Sequence, residues 1–123
     1  MTQNELIALA AALARPFAPS VDCIAAEVAA ALLTDRENVY TGVCVDTECG
    51  LGFCAEHSAV AEMLKAHESA VRMIVAVNSR GEILSPCGRC RELLWQVDEQ
   101  NTSAWVVLGP DDGCRLGELL PRR

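Results

Sequence analysis

Two short segments hold the residue types that metal-assisted chemistry needs. Cys54-Ala55-Glu56 and Pro86-Cys87-Gly88-Arg89-Cys90 each put a thiol at the expected start of a helix. Unpaired backbone N–H groups and the positive end of the helix dipole favour thiolate there, the form that binds metal. Cys87 and Cys90 are three apart and share a helix face, continued by Leu94 and Val97, so an ion would lie under the helix. Cys54, Cys87 and Cys90 as ligands leave one tetrahedral position for water, which is the arrangement of a catalytic zinc site. Glu56 sits two residues from a ligand in the same first turn, where a carboxylate can reach that water without binding the metal and shuttle its protons. The expected cofactor is one Zn2+ per subunit.

A second arrangement uses the same residues. Cys49, Cys54, Cys87 and Cys90 make a closed structural site of C-x4-C and C-x2-C type, with Glu56 reduced to a helix N-terminal acid. Zinc ribbons seldom place both pairs on helix starts, so the open three-thiolate site is preferred. Cys23 and Cys114 read as small fillers, and His57 and His67 as helix-surface residues, with work beside the metal ligands the second reading of His57. Three thiolates leave a formal charge of −1 on the cluster, and His57, Arg89 and Arg91 are the candidates beside the ligands to offset it.

These segments need a scaffold, and the 123-residue chain is one domain's worth, residues 1–123. It is 51% hydrophobic and 22% charged, a globular balance. A formal charge of −7 repels phosphate backbones and anionic lipid, which argues against nucleic-acid polymers and membrane surfaces as partners and for a small-molecule substrate. No apolar run approaches spanning length. The first seventeen residues lack a basic stretch ahead of an apolar one, so a cytoplasmic location is expected. Seven cysteines, an odd number, suit metal binding better than a disulfide framework in that compartment.

Leu6, Leu9, Ala10 and Leu13 recur at helical spacing and predict an opening helix over Asn4–Arg15, followed by a linker at Pro16–Asp22. Val28–Leu33 reads as a strand buried on both faces, and Val39–Asp46 as an alternating strand that closes a hairpin with it. A helix from Cys54 to about Ala66 and a strand over Val71–Val77 follow. Ser85-Pro86 is read as N-cap and first residue of a helix running to about Glu99. Ala104–Leu108 is a fourth strand and Leu116–Leu120 a short closing helix. The order predicts a three-layer α/β/α sandwich around one mixed sheet.

Cys54-Ala55-Glu56 opening one helix and Pro86-Cys87-Gly88-Arg89-Cys90 opening the next match the nucleobase-deaminase zinc pattern, with Cys for its first His. With Thr41-Gly42 and Leu119-Leu120-Pro121, they make the chain resemble the cytidine deaminase superfamily, in its small tetrameric branch with three cysteines. Ile83 to Arg91 is especially similar to the blasticidin S deaminases. The resemblance implies a five-stranded sheet and a homotetramer whose active sites borrow residues across interfaces. It also implies hydrolytic deamination of an aminated pyrimidine nucleoside, cytidine or deoxycytidine, with release of ammonia. Deamination of a blasticidin-S-like antibiotic or another aminated heterocycle is the alternative, and a catalytically silent zinc scaffold the third reading. Cys44, Asp46, Ala55 and Ser85 are the expected substrate contacts. Nucleoside deaminases carry Asn and Glu, for the ribose hydroxyls, where this chain has Cys44 and Asp46, and an arginine where it has His57.

Overall fold

The computed structural model describes residues 1–122; Arg123, the end of a tail expected to be solvated, lies outside them. Helix α1 (Gln3–Leu13) is closed at its start by a capping box in which the Thr2 hydroxyl accepts from the Glu5 N–H and the Glu5 carboxylate accepts from the Thr2 N–H. Strands β1 (Phe17–Ser20), β2 (Cys23–Thr34), β3 (Val39–Thr47), β4 (Val71–Asn78), β5 (Ile83–Leu84), β6 (Trp105–Gly109) and β7 (Asp112–Arg115) form one sheet. Helices α2 (Ala55–Lys65), α3 (Gly88–Val97) and α4 (Leu116–Leu119) complete the chain. The main sheet order is β3-β2-β4-β6-β7, with β1 added to β2 and β5 to β4. Every pairing is antiparallel except β4 with β6.

The mixed sheet between helical layers is as expected, but it has seven strands where five were expected. The three strands beyond the four read from the residues are short and carry little strand signal. The expected linker contains β1, an exposed four-residue edge strand whose Pro19 belongs to the residue type that edges tolerate. β5 has two residues, and β7 reads Asp-Gly-Cys-Arg, a composition that favours turns. β2 also begins five residues ahead of the expected Val28.

The sheet separates two apolar layers. On one face Leu6 and Ala10 of α1 cover Ala31, Leu33, Val75, Val77 and Val107. On the other, Ala59, Val60 and Met63 of α2, Leu94 of α3 and Leu116 of α4 cover Ala30, Leu32, Ile74, Ala76 and Val106. Small residues on both sides let α2 lie close to the sheet. Gly42 of β3 is a point of close approach to α2, since a Cβ there would fall 2.4 Å from the Ala59 backbone nitrogen and 2.5 Å from Ser58 Cβ. The fully buried Asn101 ties α3 to β4: its amide donates to the Leu94 and Ser69 carbonyls and accepts from the Val71 N–H.

Candidate active site

The two cysteine segments meet on the α2/α3 face. Cys54 is the N-cap of α2 and Cys87 the N-cap of α3, both in extended backbone. The expected cap at Ser85-Pro86 is therefore displaced by two residues. Ser85 faces the other way in function: its hydroxyl accepts from Arg91, whose guanidinium also donates to the Pro86 and Leu119 carbonyls. Arg91 thus braces the loop that carries Cys87.

Cys87 Sγ lies 3.5 Å from both Cys54 Sγ and Cys90 Sγ. Cys54 Sγ, Cys90 Sγ and a ring nitrogen of His57 all lie within 4.8 Å of one another, a Cys2His cluster able to coordinate a metal. Sulfurs on a tetrahedral zinc at about 2.3 Å stand about 3.8 Å apart, so the donors present fit such an ion with shifts of a few tenths of an ångström. Cys49 is exposed, in a loop with positive φ, and is not part of this cluster. Cys23 and Cys114 are half-buried.

Burial pushes the Cys90 thiol far up, the Glu56 carboxylate adding to it. Burial, then the Cys87 contact, raises Cys54. Burial also acts against ionised Cys87, but the Cys90 N–H and the neighbouring thiols outweigh it and the net shift is down. Glu56 is only 6% exposed and burial holds its carboxyl above the ordinary carboxylate value, against the Cys90 thiol that hydrogen-bonds to it. His57 shifts down, through burial and then through Arg89.

A cavity of about 460 Å³ opens over these residues, within the range of small-molecule pockets. Cys44, Asp46, Ala55, Glu56, Ser85, Cys54, Cys87 and Arg89 all line it, so the structure brings every expected substrate contact to one space. Val28 lines it too, for a reason local to β2. Between Ala25 and Ala29 the pairing with β3 shifts register, and Ala26 takes φ 66°. This bulge leaves the Val28 N–H free of the ladder, and it donates to Cys44 Sγ at 3.2 Å. The Cys44 thiol faces Asp46 Oδ2 at 3.8 Å. Cys44 is 6% exposed and occupied within the wall, which leaves Asp46 as the group there that can meet a ligand.

His57 is the residue whose place differs most from the sequence reading. Expected on the helix surface, or else beside the ligands, it enters the cluster itself, with a buried Nε2 that has no hydrogen-bond partner. The signal was present: Cys54-x-x-His57 repeats the spacing of Cys87-x-x-Cys90 and puts both side chains on one helix face.

A family model described as the cytidine and deoxycytidylate deaminase zinc-binding region matches residues 1–106. A cytidine deaminase of Mycobacterium tuberculosis is 36% identical over 95 residues, covering 76% of this chain and 69% of that one. Among solved structures, cytidine deaminase from M. tuberculosis superposes with a TM-score of 0.81 at 31% identity over 98% of this chain and 95% of that one. The enzyme from Burkholderia pseudomallei gives a TM-score of 0.77, also at 31% identity, over 98% of both chains.

Proposed function

Because the chain belongs to the cytidine deaminase superfamily, in its small cytidine deaminase branch, we propose that it is a zinc-dependent hydrolase that deaminates cytidine or deoxycytidine. Cys54, Cys87 and Cys90 would hold the ion, whose contribution when bound is to make hydroxide available near neutral pH. The carrying observation is Glu56, a nearly buried carboxyl on the pocket wall directly beside the sulfur cluster. A closed structural site has no use for it there.

The remaining steps belong to the chain's own residues. Glu56 takes one proton from the attacking water and passes it to the ring nitrogen, then takes the second from the hydroxyl now on the ring carbon and gives it to the amino group, so that ammonia leaves. One water is consumed, the C–N bond breaks and a carbonyl replaces it. Burial keeps the Glu56 proton affinity nearer to that of its partners than an exposed carboxylate could manage. Ala55 and Ser85 line the site, while Asp46 accepts from a hydroxyl on the substrate's outer part.

The same reading includes a cytoplasmic homotetramer. Phe17, Val21, Ile24 and Leu51 are exposed apolar side chains and support burial against further copies. Among the described residues no helix is long and apolar enough to cross a membrane. Sedimentation of the purified protein tests the assembly.

Ammonia release from cytidine, deoxycytidine, cytosine, blasticidin S and aminated purines and pterins, with Glu56→Gln as control, tests the activity. The expected result is turnover of cytidine or deoxycytidine that falls at least about a hundredfold in Glu56→Gln while zinc content is unchanged. Activity confined to blasticidin S or another heterocycle replaces the substrate and keeps the chemistry. Zinc without activity on any of them selects the scaffold.

A further inference from the structure

Leu119-Leu120-Pro121 lies far along the chain from the cysteines, and no step of the reaction uses it. In the fold it ends α4, a four-residue helix too short to hold itself, whose last carbonyls find no partner within the helix. One of these, the Leu119 carbonyl, accepts from Arg91 Nη1 at 3.3 Å. The same guanidinium donates from Nε to the Pro86 carbonyl at 2.8 Å and from Nη2 to the Ser85 hydroxyl at 3.1 Å. Neither Cys54 nor Cys87 caps its helix through its side chain, so each thiol depends on the chain that leads into it. The approach to Cys54 is pinned to β3 by backbone: the Phe53 N–H donates to the Val45 carbonyl at 2.9 Å and the Val45 N–H to the Phe53 carbonyl at 3.0 Å. The approach to Cys87 lacks such a bridge, since β5 pairs with β4 only through Ile83 and Leu84, and Pro86 has no N–H to give.

We propose that Arg91 is a positioning residue that couples the α4 turn to the loop carrying Cys87, its guanidinium doing for Cys87 what the strand bridge does for Cys54. The inference rests on the reading that Cys54, Cys87 and Cys90 hold the ion. A guanidinium presents five N–H donors in one rigid plane, and three of them reach acceptors on two segments far apart in sequence. All three acceptors are neutral oxygens, so these contacts set position. Arg91 is itself anchored, because its N–H donates to the Cys87 carbonyl at 3.0 Å in the first turn of α3. The loop, the start of α3 and the end of α4 are thereby joined through one side chain. Cys87 Sγ stands 3.5 Å from both Cys54 Sγ and Cys90 Sγ, and a loop free to shift would lose that spacing.

The test compares the full wild-type chain with Arg91→Met, which keeps the stem and removes the donors, and Arg91→Lys, which keeps the charge and loses the planar fork. Ser85→Ala removes one acceptor of the three and serves if Arg91→Met does not fold, which circular dichroism decides. Hydrogen exchange of the metal-free proteins is read by mass spectrometry on three stretches, residues 83–92, 114–122 and 50–57. Zinc affinity is read by competition with a chromophoric chelator. The expected result is faster exchange in 83–92 and 114–122 together, with 50–57 at the wild-type rate, and a smaller change of the same pattern in Ser85→Ala. Zinc affinity falls about tenfold in Arg91→Met and by nearly as much in Arg91→Lys, since a single ammonium cannot span both segments. Exchange that rises in only one of the two stretches, in neither, or equally in all three overturns the coupling. Wild-type zinc affinity in Arg91→Lys also overturns the proposal, by making the charge what matters. A wild-type chain that binds no zinc overturns the function reading beneath, while the exchange rates still decide whether Arg91 joins the two segments.

Discussion

Cys54 and Cys87 are the N-cap residues of two different helices, 33 positions apart in the chain, and their sulfurs stand 3.5 Å from each other. Two positive helix ends therefore point at one spot, with α2, β4 and β5 in the sequence between them. As ligands of a metal the two thiols would be held apart. Stripped of it, they are close enough for a small rotation to bring them to bonding distance. Chelation followed by one equivalent of hydrogen peroxide is expected to oxidise the pair to a disulfide, the two thiols losing two hydrogens as the peroxide is reduced to water. Peptide mapping should find Cys87 joined to Cys54 rather than to the equally near but fully buried Cys90, and zinc rebinding blocked until a reductant is added. Zinc-loaded protein treated alike should remain reduced, and peroxide products spread evenly over all cysteines would contradict the expectation.

Gly42 sets the height of α2 above the sheet. A methyl group there meets backbone, the Ala59 nitrogen at 2.4 Å, which cannot rotate away as a side chain can. Gly42→Ala is expected to cost about 1–3 kcal/mol in urea unfolding and to lower kcat, because α2 must lift and Glu56 rises with it. Stability equal to wild type would show that the helix has more room than these distances allow.

Much of this site was legible because its chemistry and its helix signals coincide. Cys54 and Cys87 mark helix starts by sequence and cap those helices in the structure. The opening helix and the strands of the central sheet follow from apolar periodicity, and the two faces of β3 do as well: Cys44 packs in the layer under α2 while Val39 lies against the layer under α1. What was missed depends on pairing with distant residues. Nothing in Phe17–Ser20 says that it will find Cys23–Ala25 as a partner. Ser85-Pro86 has the stronger local cap chemistry, yet Arg91 takes the Ser85 hydroxyl and the helix starts later. Ala26 occupies a conformation that favours glycine, and only the bulge between Ala25 and Ala29 accounts for it.

Asp46 and Cys44 share a pocket wall and differ in what they can still offer. Cys44 Sγ already accepts from the Val28 N–H and faces the Asp46 carboxylate, whereas Asp46 borders the cavity. Asp46→Ala is accordingly expected to raise KM for a hydroxyl-bearing nucleoside about tenfold with kcat nearly unchanged, the loss of one hydrogen bond to a charged acceptor. Cys44→Ala should affect stability more than KM, since it empties a buried site and orphans the Val28 N–H. Steady-state kinetics on both variants decides; a large fall in kcat with Asp46→Ala would move that carboxylate into the chemistry.

Outside the sulfur cluster, Glu68 offers a stability switch with a definite sign. It is 6% exposed and accepts hydrogen bonds from the Tyr40 hydroxyl and the Asn38 amide. The Tyr40 bond chiefly, with those from Thr34 and Asn38, holds its carboxyl below the ordinary value of 4.5. A folded-state value below the unfolded one means that the folded protein binds fewer protons. The stabilisation is therefore complete above about pH 4.5 and is lost as pH falls through the lowered folded value. Tyr40→Phe removes the leading cause while keeping the ring that packs under α2. Urea unfolding of both proteins from pH 7 to pH 3 should show the variant less stable at neutral pH, with the gap narrowing as Glu68 protonates. Metal ligands titrate in both proteins alike and cancel in the difference. A gap of constant size at every pH would mean that the Tyr40 hydroxyl contributes packing or a neutral hydrogen bond, with no preference for the ionised carboxylate.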